Sequence, residues 1–356
     1  MGKLYQRYVV FLYLKNFFII FLALEFFYVG VDLLSNLKNL PSSANLQLLY
    51  VYYNFLLAIN YTLPLSIVFA LISSKLSMIR SNELVSLYAS GISRNEIIKP
   101  LFISSLVLIL AYIALNFTSF AYSYEFKRNI LKYNKISSDS KKLFVKYQDK
   151  YIYFGLLNPI KKVARDIKIF NVQNGELKSV ISSKRTYFSG GKWHFEKASK
   201  TTFPENKKLG EDGFKKEVLE NISLLDGFKP SIIDTLHENK IYMSITDAYE
   251  SIKFLRNQGA NTSLVKSSLY GMIVFPLFAP FMLIILFFYM PPTGRFFNLA
   301  LLGFVFIFVT LVSWGVIFVL NKFSANDVIS AEFSTILPVF LMGLFALRIV
   351  FISKRK

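Results

Sequence analysis

Six stretches of this chain, at about 9 to 32, 48 to 73, 100 to 124, 264 to 290, 297 to 320 and 333 to 352, are long and apolar enough to cross a bilayer as helices. A hydrocarbon core takes roughly 20 residues at the helical rise, and backbone groups in lipid must bond within their own segment. The expected class is therefore a polytopic α-helical membrane protein with six transmembrane helices. The 356 residues are 54% hydrophobic and 18% charged, against roughly 45–50% and 25% in a soluble domain. The 37 Phe and 21 Tyr are more than a water-soluble core would hide. The first stretch is too long for the apolar region of a signal peptide, and Tyr28-Val29-Gly30-Val31-Asp32 has no small-x-small cleavage pattern. It reads as a retained span.

Lysine and arginine in the short loops set the orientation. Lys3 and Arg7, then Lys75, Arg80, Arg94 and Lys99, then Arg295, then Lys354, Arg355 and Lys356 fall on one side. The opposite short loops carry only Lys38 and Lys322 as cations, beside Asp32, Asp327 and Glu332. Both termini are thus expected in the cytoplasm. The expected organisation is 1–124 for spans one to three, with a cytoplasmic helix at about 81–92, then an outer insert at 125–262 with its return helix, then 263–356 for spans four to six. The insert holds 26 Lys and Arg against 16 Asp and Glu, a net +10, which does not oppose export because long domains cross largely regardless of charge. The whole chain carries +19. Its basic residues are dispersed among spans, so anionic lipid is the expected partner and nucleic acid is not.

The insert reads as β. Lys192-Trp193-His194-Phe195-Glu196 and Asp166-Ile167-Lys168-Ile169-Phe170 alternate polar with apolar residues, as strands with one wet face do. Asn174-Gly175 and Gly190-Gly191 supply positive-φ residues for tight hairpins. Short strands at about 143 to 147, 150 to 154, 163 to 172, 177 to 188, 192 to 203 and 214 to 225 suit an all-β sandwich or jellyroll better than a βαβ fold. Ser244 to Asn257 reads as the helix leading back to the membrane.

Chemistry is scarce. The absence of Cys excludes disulfides, thiolate metal sites and a Cys nucleophile, and two distant His, His194 and His237, leave little for a metal centre. Gly190-Gly191-Lys192-Trp193 lacks the spacing and hydroxyl of a nucleotide loop. His237-Glu238-Asn239-Lys240-Ile241 starts like a zincin motif without the second His, and no GxSxG elbow occurs. No catalytic residue, metal or cofactor is expected.

The informative stretch is Arg80 to Glu96. Leu84, Leu87 and Tyr88 share one helical face, Gly91 suits a left-handed C-cap, and Ser93 with Glu96 forms a capping box for the next helix. Such a helix either rests on the bilayer or couples to an ATPase, with Glu83 meeting basic or helix-terminal groups on the partner. Glu83-Leu84-Val85 followed by Ala89-Ser90-Gly91-Ile92-Ser93-Arg94 resembles the coupling-helix signature of the lipopolysaccharide-export permeases of the LptF/LptG type. The order of three spans, β insert, return helix and three spans is similar along nearly the whole chain.

That resemblance implies a bacterial inner-membrane permease subunit with a periplasmic β-jellyroll. It implies a homologous permease subunit, a cytoplasmic ATPase dimer, periplasmic bridge proteins and lipopolysaccharide as partners. It marks Glu83, Leu84, Leu87, Tyr88 and Gly91 as the ATPase-coupling residues. Val31-Asp32-Leu33-Leu34 and Ser244-Ile245-Thr246-Asp247 look more like LptG than LptF. The family often places basic residues at the outer end of span one to meet lipid phosphates, and here Lys38 is the one candidate. The family also tends to have polar or charged residues entering span four, where this chain has Lys266-Ser267-Ser268.

Glu25, deep in span one, must face protein or a cavity, as packing polarity or as a lipid-binding group. Lys15 can snorkel to the interface. Pro64, Pro276 and Pro280 can loosen their spans. The Phe-rich faces of spans one and five suit acyl chains and ordinary bilayer lipid equally. A different reading, a membrane sensor or scaffold whose outer β domain binds a ligand, needs neither a paired permease nor an ATPase.

Overall fold

The computed structural model describes residues 4–134, 140–147, 150–159, 161–173, 175–204, 213–230, 243–257 and 261–355. Lys3, Asn174, His237 to Ile241 and Lys356 lie outside those residues. The chain divides into two compact units, one made of 1–127 with 262–356 and the other of 128–261.

The first unit holds six helices of spanning length and composition. Span one is α1 (Leu4–Asn36), a single helix of 33 residues. Span two is α2 (Ala44–Arg80), and α3 (Glu83–Ala89) follows it. Span three is α4 (Arg94–Leu115). It stops earlier than the apolar pattern, which continues to about 124, because polar groups end it locally. Asn116 Nδ2 donates back to Tyr112 O at 2.9 Å, and Thr118 Oγ1 donates to Leu115 O at 2.7 Å while accepting from Phe120 N. A 3-10 turn at Ser119–Tyr122 then leads into α5 (Ser123–Tyr133).

Span four is broken at Pro276. It consists of α7 (Ser263–Ile273), a 3-10 turn at Phe275–Leu277 and α8 (Phe278–Tyr289). A proline there has no N–H to continue the ladder, whereas Pro64 is accommodated inside the continuous α2. Span five is α9 (Leu299–Ala325), and span six opens on a π turn at Glu332–Ile336 that runs into α10 (Leu337–Arg355). In the most apolar window of each span, α2 is 61% buried but α1 and α9 only 17%. Thus α2 is the centre of the bundle, and α1 and α9 present most of their surface, including Phe11, Phe18, Phe304 and Phe308, outward.

The second unit is a six-stranded antiparallel sheet in consecutive order, β1 (Ser140–Tyr147), β2 (Lys150–Asn158), β3 (Val163–Gln173), β4 (Glu176–Ser189), β5 (Lys192–Thr202) and β6 (Lys215–Leu224). Connections of two to four residues separate the strands from β1 to β5, twelve residues separate β5 from β6, and the described strands run as a meander. Gly190 and Gly191, at φ of 57° and 85°, turn β4 into β5 as a two-residue hairpin of type I′ demands. Trp193, Phe154, Phe195 and Phe228 are fully buried, and Trp193 Nε1 donates to Phe228 O at 2.7 Å. The return helix α6 (Ile245–Asn257) begins at Ser244, whose hydroxyl accepts from Asp247 N at 3.1 Å.

The sheet also has a transverse crease. Lys142, Asp166 and Asn221 have left-handed φ of 56°, 51° and 53°. The pairs Lys141↔Leu156 and Leu143↔Phe154 bracket Lys142 with Gly155, and Leu156↔Arg165 and Phe154↔Ile167 bracket Gly155 with Asp166. Arg165↔Arg185 and Ile167↔Ser183 continue the line to Lys184, and Phe195↔Ile222 and Lys197↔Glu220 bracket Glu196 with Asn221. Gly155 is required, since a Cβ there would lie 2.8 Å from Asp166 Cβ. Ser183 Oγ donates to Lys197 O at 2.7 Å, covering a carbonyl where β4–β5 pairing lapses.

Candidate coupling site and lipid-facing groups

Local rules shape α3 at both ends. Asn82, at φ of 59°, swings the chain off the end of α2, and asparagine tolerates that region better than most residues. Glu83 then sits in the first turn, where a carboxylate complements the helix dipole. At the far end Gly91 N bonds Tyr88 O at 3.0 Å and Ile92 N bonds Leu87 O at 3.1 Å, with Gly91 at φ of 79°. This is a Schellman cap, the termination that left-handed glycine allows. Ser93 and Glu96 form the reciprocal capping box of α4.

The structure gives the coupling residues different stations. Leu84 is fully buried, and Leu87 and Tyr88 are half-buried against the bundle's own core. They hold α3 to this chain, and the outward face is Val85, Ser86 and Ala89. Burial pushes the Tyr88 phenol up to about 12, an effect that Arg94, 5.9 Å from the ring centre, opposes. Glu83 is half-buried, and one of its oxygens accepts from the Tyr8 hydroxyl of α1 at 2.7 Å.

Lys38 and Glu25 are not brought together. Lys38 is exposed on the 3-10 turn Leu37–Asn39. Glu25 is fully buried and accepts from the Thr62 hydroxyl of α2, while its Oε2 finds no partner among the described residues. Lys75, read from sequence as a loop cation, lies inside α2 and is buried. Its ammonium donates to Phe287 O and to Met290 O, the latter at 2.7 Å, and so caps the C-terminal end of α8.

Two polar clusters escaped the reading of the sequence. Lys127 Nζ lies 2.6 Å from Asp32 Oδ1 and 2.9 Å from Asn54 Oδ1, and Tyr50 donates to the other Asp32 oxygen. Asp32 and Lys127 both flank apolar spans, and that placement was the available signal. Elsewhere Asn321 Nδ2 donates to Ser267 O at 3.1 Å and to Thr335 Oγ1 at 2.9 Å, joining spans four, five and six. Nearby, Lys266 pairs with Glu332 at 2.9 Å. In the sheet unit the crease opens a groove of about 710 Å³, lined among others by Ser183, Lys184, Arg185, Glu196 and Lys197.

The family described as lipopolysaccharide export system permease LptF/LptG matches residues 7–353. The chain belongs to this family. It is a multi-pass inner-membrane transport permease of lipopolysaccharide export, with six spanning helices and a β domain inserted between the third and the fourth. The family description spans both permease types. No curated protein matches the chain.

Proposed function

We propose that this LptF/LptG-family permease works as one half of an ATP-driven extractor, paired with a homologous permease and powered by a cytoplasmic ATPase dimer. Both termini and α3 face the cytoplasm in this reading, and the β domain faces the periplasm. Residues 1–124 and 263–356 serve as the translocating unit, and 125–262 passes lipopolysaccharide to periplasmic bridge proteins. Val31 to Leu34 and Ser244 to Asp247 favour the LptG type.

The observation that carries the coupling role is the mounting of α3. It is pinned to the bundle by Leu84, Leu87 and Tyr88, capped at its far end, and left with Glu83, Val85, Ser86 and Ala89 toward a partner. A surface helix held this way passes on a push instead of absorbing it. Gly91 allows the cap, and Lys38 is the candidate lipid contact, meeting lipid phosphate from its exposed turn. Glu25, the other expected lipid group, is buried in the α1–α2 contact, so lipid would reach it only where those two helices part.

Co-purification of the tagged chain with an ATP-binding subunit tests the assignment. Recovery of a stable complex whose hydrolysis drives lipopolysaccharide release is the expected result. Recovery of the chain alone, with ligand bound to the β domain, would favour a sensor or scaffold.

A further inference from the structure

The coupling helix is covalently joined to α2 and α4, and neither connection reaches α1. A side-chain link does. Tyr8 Oη donates to Glu83 Oε2 at 2.7 Å, the length of a good O–H···O bond, and an ionised acceptor makes such a bond roughly twice as strong as a neutral one. The second carboxylate oxygen, Oε1, accepts nothing among the described residues. One carboxylate can therefore hold α1 with one oxygen and a partner's cation with the other.

What α1 does with that link follows from its build. It is 33 residues of uninterrupted helix with no proline, roughly 50 Å at the helical rise, so a displacement at Tyr8 travels along the whole span. Its outward face is largely exposed, while its inward face is bound to α2 through Tyr13, Asn16 and Glu25, so a push at Tyr8 enters α1 as one rigid element and is shared with α2. We propose that Tyr8 is a positioning residue that ties the coupling helix to span one, so that the stroke of α3 reaches α1 directly as well as the α2 and α4 to which α3 is joined. The inference rests on the coupling role given to Glu83 above and extends it to a named receiving element.

The test uses the full chain assembled with its permease partner and ATPase in lipid nanodiscs containing lipopolysaccharide. Complex yield, ATP hydrolysis and lipid released per ATP are measured for Tyr8→Phe, Glu83→Ala and the double variant. Tyr8→Phe keeps the ring and loses only the donor. It should retain complex and hydrolysis while lipid released per ATP falls several-fold, up to about tenfold. In the Glu83→Ala background, with ATPase supplied in enough excess to keep the weakened complex assembled, it should cause no further fall in lipid released per ATP, because groups acting through one bond are not additive.

A Tyr8→Phe variant with the parent's release ratio, one that loses the complex, or one whose effect adds in full to that of Glu83→Ala overturns the proposal. If Glu83→Ala uncouples and Tyr8→Phe does not, this link alone is wrong. If Glu83→Ala also matches the parent in complex and release, the coupling role of Glu83 falls with it.

Discussion

Glu83 and Asp32 are carboxylates on opposite sides of the energy balance. Glu83 is half-exposed, so its removal should leave the bundle intact. Glu83→Ala is expected to cost about 2–5 kcal/mol of partner binding, much of it from the charge left unpaired on the other side, read as lost ATPase in pull-down. Asp32 and Lys127 keep only 20% and 10% of their side chains exposed. Breaking a fully buried pair from one side costs about 3–5 kcal/mol, and the residual exposure lowers that. Lys127→Met should therefore destabilise the chain by about 2–4 kcal/mol, visible as an earlier thermal transition in detergent. Tyr88 adds a pH signature. Its folded phenol titrates at about 12 against an ordinary 10.0, so its burial stabilises fully below pH 10 and is lost as pH rises toward 12. Tyr88→Phe should flatten the alkaline loss of stability, and an unchanged profile would remove Tyr88 from that role. The place of Glu83 at the start of α3 was legible because local helix rules surround it. Asp32, Asn54 and Lys127 were not, because their meeting depends on tertiary packing that no spacing along the chain encodes.

Among the elements, α3 is the one the sequence specified most fully, since Gly91 and the Ser93–Glu96 box act over four residues or fewer. Substituting Gly91→Ala forces a Cβ into a left-handed residue, and Ser93→Ala removes a cap. Each should cost about 1 kcal/mol and speed amide exchange in residues 83–96, measured by deuterium uptake; uptake equal to the parent's would detach the caps from the order of α3. The six strands were legible too, through alternation and glycine turns. Their crease was not, because its left-handed positions are Lys142, Asp166 and Asn221 instead of glycine. Asp166 and Asn221 are of types that tolerate this region and Lys142 is not, but a single Asp or Asn within an alternating strand does not by itself mark a crease. The end of α4 was misplaced for a related reason: hydropathy continues past Leu115, and the side-chain bonds of Asn116 and Thr118 decide the matter.

For the molecule as a whole, the apolar spans carried the architecture because crossing lipid is a demand on length and composition alone. Orientation remains a matter of charge bias, and the chain's lack of cysteine makes it directly measurable. A single cysteine at Phe296 should label from the cytoplasmic side and one at Ser223 from the periplasmic side in intact cells; the reverse pattern would invert the topology. The creased sheet bears on how such a domain can change over generations. Its strands are aligned at two heights, at the hairpin tips and again along the crease, so one extra residue between tip and crease would throw a whole half-strand onto the wrong face. A residue added beyond the last pair of a hairpin changes the turn but leaves the paired register as it was. Length differences among descendants of this domain are therefore expected to gather at the tips, while the distances from the crease to the nearest turns are inherited intact.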